Sequence, residues 1–421
     1  DDNNTLSLAT TYTDLAGNNG PDNQTENFEI DTLAPTVSVA ITGEDGIQNS
    51  FLNATDNVSV TATFSETVIV DNSSGNPTIT LVVGSDNRTA TYTSGDNSTR
   101  LVFRYTIKAT GTSGENDDDG ISIPENALAL DNGTIKDLAG NNATLTHSLV
   151  SDNSSVKVDT TLPTVSVAIT GEDGIQNSFL NATDNVSVTA TFSETVIVDN
   201  SSGNPTITLV VGSDNRTATY TSGDNSTRLV FRYTIKATGT SGENDDDGIS
   251  IPENALALDN GTIKDLAGNN ATLTHSLVSD NSSVKVDTTA PSVDNFTISD
   301  TLLTIGETMA VTLVFSEAVC TDSSDCSGIV FSSDPDIAVP NLDSGPRRGI
   351  ASGTLSTMTS DNNDNETWRG TFTPRTNTED DNNTLSLATT YTDLAGNNGP
   401  DNQTENFEID TLAPTVSVAI T

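Results

Sequence analysis

A chain of 421 residues with 59 acidic and 16 basic side chains, a net charge of −43, is not a partner for nucleic acid, whose phosphates require clustered Lys and Arg; anionic membrane surfaces are disfavoured for the same reason. Only 33% of the residues are hydrophobic and 5% aromatic, below the usual apolar share, so any cores are thin. The apolar residues alternate rather than scatter (Val58, Val60, Ala62, Phe64; Leu101, Phe103, Tyr105, Ile107), which marks strands with one buried face and not a disordered polymer.

Along the chain, repetition is the dominant feature. Residues 1–42 recur letter for letter as 380–421, and residues 35–161 recur as 163–289. The position that closes each copy breaks the identity, Leu162 in one and Ala290 in the next. Pro35, Pro163, Pro291 and Pro414 open successive units, spaced 128, 128 and 123 residues apart. The expected division is 1–33 (the C-terminal part of a 123-type unit), 34–161 and 162–289 (two 128-type units), 290–412 (a 123-type unit) and 413–421 (the first strand of the next). Units of this size are ordinary single domains, and the chain reads as a window on a longer array. A second identical copy adds little to an enzyme but adds length to a rod, so a structural role is expected and catalysis is not.

Within one 128-type unit the predicted strands run Thr36–Thr42, Val58–Val70, Thr78–Val83, Thr89–Thr93 and Arg100–Ala109. Short strands follow at Ile121–Ile123 and Ala127–Leu130, then Thr144–Val150 and Ser155–Val158, with Gly, Asn, Asp and Ser in every gap. About seven to nine short strands without helical periodicity describe an all-β chain of tandem immunoglobulin-like β-sandwich domains, arranged as an elongated rod. A β-solenoid is the alternative, but its rungs would repeat at a far shorter period.

Several segments resemble a known family. Phe64-Ser65-Glu66, Asn76-Pro77-Thr78-Ile79-Thr80-Leu81, Arg88-Thr89-Ala90-Thr91-Tyr92, Gly133-Thr134-Ile135-Lys136-Asp137-Leu138-Ala139-Gly140-Asn141 and the linker Asp159-Thr160-Thr161-Leu162-Pro163 look like the bacterial immunoglobulin-like tandem repeats of giant surface adhesins and biofilm-associated proteins. The 123-type unit looks like a sister type, with Ile298-Ser299-Asp300-Thr301, Gly306-Glu307-Thr308, Phe315-Ser316-Glu317, Phe372-Thr373-Pro374 and Tyr391-Thr392-Asp393-Leu394-Ala395-Gly396-Asn397. The resemblance implies an extracellular or cell-surface rod that holds a binding tip away from the cell, often rigidified by calcium.

Topology points to where carboxylates would meet. In a seven-strand sandwich the second strand ends at the leading pole, where the last hairpin loop also lies. Glu66 is read as the end of that strand, Asp137 as a residue of that loop and Asp31 as part of the linker entering the domain. The corresponding trios are Asp159, Glu194 and Asp265, then Asp287, Glu317 and Asp393. Calcium takes about six to eight oxygen ligands, which three carboxylates with carbonyls and water supply. A weaker acidic cluster is expected at the trailing pole: Glu44, Asp45, Glu115, Asp117 and Asp119, with Glu243, Asp245 and Asp247 in the second copy. Solvated acidic turns are the alternative for both sets.

Cys320 and Cys326 are the only cysteines and would close a small loop as a disulfide; free thiols are the alternative, and a zinc site lacks His partners. Asn-x-Ser/Thr acceptors include Asn53, Asn57, Asn72, Asn87, Asn97, Asn132 and Asn142, although the composition alone would produce most of them. His147 and His275 occupy equivalent strand positions without clustered partners, and Trp368 reads as packing. The expected function is a spacer in a long secreted or surface adhesin, stiffened by calcium at domain junctions and partnered by neighbouring repeats. A self-assembling filament, with other copies as partners, is the second reading. A glycan-binding module, for which Tyr220 and Trp368 are thin support, is the third.

Overall fold

The computed structural model describes residues 3–109, 115–237, 243–320, 331–332, 336–342, 348–361 and 364–419. All regular elements among them are β-strands, and no helix is long and apolar enough to cross a membrane. The chain divides into two compact units, one of residues 1–163 with 194–198 and 263–272, the other of 164–193, 199–262 and 273–421.

In the first unit, β1 (Ser7–Leu8) and β2 (Asn23–Gln24) form a small ladder. The sandwich that follows is built from β3 (Val37–Asp45), β4 (Phe51–Leu52), β5 (Asn57–Asp71), β6 (Thr78–Val83), β7 (Asp86–Ser94), β8 (Ser98–Thr106), β9 (Leu128–Ala129), β10 (Thr134–Asp137) and β11 (Lys157–Val158). One sheet runs in the order β10-β5-β8-β7-β6-β9, with β3 also on β5, and all its pairs are antiparallel. β4 and β11 pair in parallel. The β5 strand organises the domain. Val58, Val60, Ala62 and Phe64 point inward at alternate positions, and all four are buried. Its register with β8 then shifts between Thr63 and Val68, and on the opposite edge the last four residues pair with β10 where β3 pairs with residues 57–64. Glu66 therefore lies in the middle of a 15-residue strand, at the bulge, rather than at a strand end.

The β6–β7 hairpin closes more tightly than expected, because Val83 pairs with Asp86 across Gly84 and Ser85. Gly84 has φ 58°, which suits the first position of a two-residue hairpin turn whose twist matches the strands. Leu81, Leu101, Phe103, Ile121 and Val158 join β5 in one buried cluster, and full burial of each such side chain contributes roughly 1.5–3 kcal/mol. Ile121–Ile123 and Thr144–Val150 make only isolated bridges, Ser122 to Val82 and Ile123 to Val150. Inside-outside alternation runs from Ala143 to His147 and then breaks, since Leu149, on the same face as the buried His147, is 61% exposed.

The same strands recur in the second copy, from Val165–Asp173 to Lys285–Val286. In residues 293–410, Val293–Ile298, Met309–Phe315, Thr367–Pro374 and Gly353–Leu355 form one sheet. Leu302–Leu303, Phe407–Asp410 and Glu379–Asn383 form another. Trp368, Tyr391, Phe331 and Phe372 fill the core between these strands. Trp368 is fully buried and donates its indole N–H to Asn365 O at 3.2 Å, so it packs the interior and offers no sugar platform.

Candidate metal centres

Each boundary linker ends in a tight Asp turn: Asp31 Oδ1 accepts the N–H of Leu33, Asp159 Oδ1 that of Thr161, and Asp287 Oδ1 that of Thr289, each at 2.9 Å. Opposite stands the Asp-Leu-Ala-Gly-Asn loop. Asp265 Oδ1 accepts the Asn269 N–H and its Oδ2 the Asn269 side-chain amide, both at 2.8 Å. The same Asn269 amide donates to Asp159 O at 2.9 Å and so ties linker to loop. Asn397 bridges Asp393 and Asp287 O in the same way, and Asn141 bridges Asp137 and Asp31 O. Sequence reasoning from the carboxylates alone does not reach these asparagines. Their signal was present as the last letter of each Asp-Leu-Ala-Gly-Asn motif.

The β5 bulge delivers the third carboxylate. Oxygen atoms of Asp31, Glu66 and Asp137 all lie within 4.8 Å of one another, as do those of Asp159, Glu194 and Asp265 and those of Asp287, Glu317 and Asp393. Glu66 and Glu194 are aimed from within a 15-residue strand, whereas Glu317 lies just past the end of Met309–Phe315, where a strand end was expected. Asp137, which ends β10, was expected in a loop.

Crowding shows in the electrostatics. Burial, then the nearby Asp159 and Asp265 carboxylates, push Glu194 up to about 7; burial with Asp287 and Asp393 does the same to Glu317. Glu66 is raised by burial and by Asp31 and Asp137. Burial raises Asp159, Asp287 and Asp393 as well. Asp137 differs: burial pushes it up, but hydrogen bonds from Asn141 and the loop backbone outweigh that and hold it low. Three hard oxygen donors this close, with one driven toward neutrality, fit a divalent cation of calcium's preferences.

The trailing-pole residues are arranged differently. The Glu115 side chain has no exposed surface; its Oε1 accepts Arg88 Nε–H at 2.7 Å and the Tyr105 hydroxyl at 2.5 Å, and its Oε2 accepts the Lys108 N–H. Asp117 is buried and accepts the backbone N–H groups of Gly84 and Gly120. Glu243 and Asp245 repeat this with Arg216, Tyr233, Gly212 and Gly248. Glu44 and Asp45 are exposed on β3, and Asp119 and Asp247 are exposed in turns. Among the described residues these carboxylates are not gathered into a cluster, because their oxygens are used to close their own turns or face solvent.

The His147 imidazole is buried, with Nε2 accepting the Ala127 N–H at 2.8 Å and Nδ1 beside Ser148 O at 2.9 Å; His275 repeats the arrangement. Tyr220 packs edge-on against Phe231. Cys320 is buried and disulfide-bonded, while Cys326 lies outside the described residues. Asn72, Asn87, Asn97, Asn132 and Asn142 are exposed. Asn53 and Asn57 are half-buried, Asn53 donating to Ala267 O at 2.8 Å and Asn57 accepting the Thr106 hydroxyl at 2.6 Å.

No curated protein sequence matches the chain. Among solved structures, an Escherichia coli adhesin, FdeC, aligns at 12% identity over 91% of this chain and 99% of its own, with a TM-score of 0.29. A putative membrane-anchored protein of Corynebacterium diphtheriae aligns at 13% identity over 92% and 98%, with a TM-score of 0.18. Superpositions at that level do not determine a shared fold. Residues 348–409 match the family model of the bacterial Ig-like domain. The latter half of that stretch recurs letter for letter at the start of the chain, and the match contains Phe372-Thr373-Pro374 and Tyr391-Thr392-Asp393-Leu394-Ala395-Gly396-Asn397, which carry the resemblance.

Proposed function

We propose that this chain is a structural extender of an extracellular, adhesin-type surface protein, without catalysis, in which calcium held by the carboxylate trios stiffens the domain boundaries. The observation that supports this most directly is the recurrence of one arrangement at three boundaries: a linker Asp, a Glu of the second long strand or the bend after it, and an Asp that ends a short strand, within 4.8 Å, with an Asn side chain tying linker to loop. Without a cation the trios repel, and a net charge of −43 adds to that repulsion. With it, each linker is tied to the domain it enters.

Small-angle scattering tests the reading. The chain in calcium is expected to scatter as a long rod, and chelation should shorten its persistence and lower its melting temperature. A flexible string of beads in saturating calcium would remove the extender role. A profile and melting temperature indifferent to chelation would remove the cation and leave a passive spacer.

A further inference from the structure

The turn between β3 and β4 meets a neighbouring repeat with a pair of side-chain amides. Asn49 Nδ2 donates to Leu266 O and Asn53 Nδ2 to Ala267 O, both at 2.8 Å. One repeat later, Asn177 Nδ2 donates to Leu394 O at 2.9 Å and Asn181 Nδ2 to Ala395 O at 2.8 Å. The receiving loop is Asp-Leu-Ala-Gly-Asn in both cases, although one belongs to a 128-type unit and the other to a 123-type unit. Gln48 and Gln176 complete the contact. A Cβ on Gly268 would lie 2.6 Å from the Gln48 amide nitrogen, and one on Gly396 2.6 Å from that of Gln176. The identical loop at residues 137–141 shows what the contact covers: Leu138 is 70% exposed and a Cβ on Gly140 would meet nothing, whereas Ala267 and Ala395 are each 1% exposed.

The 123-type unit presents a different edge at this place. Leu302–Leu303 pairs in parallel with Phe407–Asp410, as Phe51–Leu52 pairs with Lys157–Val158, so Asp300 stands where Asn49 does and Thr304 where Asn53 does. A second bond confirms the alignment: the Thr304 N–H donates to Glu307 Oε2 as the Asn53 N–H donates to Asp56 Oδ2. Thr304 also gives its hydroxyl proton to Glu307 Oε2 at 2.8 Å. Asp300 is an acceptor at neutral pH and would set a carboxylate against a carbonyl. Neither residue replaces the amide donors.

We infer that the Gln-Asn-Ser-Phe-Leu-Asn edge of a 128-type unit is a plug specific for the Asp-Leu-Ala-Gly-Asn loop of its successor, and that the 123-type unit lacks it. The two unit types then build two kinds of boundary. Loops that follow a 128-type unit are capped. A loop that follows a complete 123-type unit would face Asp300 and Thr304 in place of the amide donors, which places one looser boundary in each super-repeat; residues 137–141, preceded here only by the C-terminal part of such a unit, serve as the reference for a loop with no edge opposite it. The device uses neutral hydrogen bonds to Leu266 O and Ala267 O, and none of its donors or acceptors is a trio carboxylate.

Thiol labelling of the whole chain tests it, run in calcium and again in chelator, so that loosening of the trios and loss of the plug are told apart. Single variants Ala139→Cys, Ala267→Cys and Ala395→Cys report each loop, since Cys320 is already disulfide-bonded. The thiols of Ala267→Cys and Ala395→Cys should label far more slowly than that of Ala139→Cys. Replacing Asn49 by Asp and Asn53 by Thr, the 123-type residues, removes two hydrogen bonds. Labelling of the Ala267→Cys thiol should then speed up about thirtyfold, to the Ala139→Cys rate. The Ala395→Cys thiol in that background should stay slow, which shows that the chain is folded. The reciprocal Asn177→Asp, Asn181→Thr pair should release the Ala395→Cys thiol and leave the Ala267→Cys thiol slow. Labelling unchanged by each pair at the loop it faces would overturn the plug. So would parent chains in which Ala267→Cys labels as fast as Ala139→Cys.

Discussion

Replacing Glu194 and Glu317 by Gln should stabilise the cation-free chain and destabilise the calcium-loaded one. Both carboxyls rise from the ordinary glutamate value of 4.5 to about 7, through burial and then through their two Asp neighbours. At ~1.4 kcal/mol for each pH unit, that would be ~3 kcal/mol in a fully dry site. Both side chains are partly exposed, and solvent screening reduces the figure to about 1 kcal/mol per site. The folded chain holds these protons more tightly than the unfolded chain. The contribution to stability is therefore complete below about pH 4.5 and lost as pH rises through about 7. Thermal melts in chelator should show parent and double variant nearly level at pH 5. At pH 8 the variant should be more stable, by roughly 4 °C in the affected domains. In saturating calcium at pH 8 the order should reverse, because only the parent retains three anionic ligands per site. A variant no more stable than the parent in chelator would refute the electrostatic argument. Equal stabilisation of both chains by calcium would refute the ligand assignment.

Glu115→Leu should cost about 3 kcal/mol by urea denaturation and be insensitive to calcium, because it removes the buried carboxylate that Arg88 and the Tyr105 hydroxyl bond without touching a trio. Asn269→Ala removes the tie between Asp265 and Asp159 O, and a loss of about 1–2 kcal/mol is expected, with weaker calcium stabilisation of that boundary measured by calorimetry. Phe103→Ala empties a fully buried position and should destabilise its domain by about 3–5 kcal/mol in the same denaturation assay, with calcium response retained at the other boundaries.

Much of this was legible in the sequence. Period-two alternation located the long strands, since a one-residue slip would turn Val58, Val60 and Ala62 into solvent. The membership of each carboxylate trio followed from topology, because linker, second strand and last hairpin share a pole in any such sandwich. Other features were not visible. The Glu66 irregularity depends on a register shift against β8 and on one edge of β5 passing from β3 to β10. Glu115 read as an exposed ligand because nothing in its own loop reveals that Arg88, 27 residues away, turns inward to meet it.

The repeated segments show the division most directly. Residues 3–33 and 382–412 have identical sequences and form the same tyrosine turn, Tyr12 hydroxyl to Pro21 O and Tyr391 hydroxyl to Pro400 O, each at 2.8 Å. Yet Leu8 is 54% exposed and Leu387 2%, and Phe28 is 39% exposed and Phe407 buried. Sequence by itself determined the turns, the alternation and the loop that holds each Asp, because these are set by neighbours along the chain. Burial takes a second segment: the strands that cover Leu387 and Phe407 come from residues 293–374, a stretch with no counterpart ahead of residues 3–33 in this sequence, and covering an apolar face is a property of two segments and never of one.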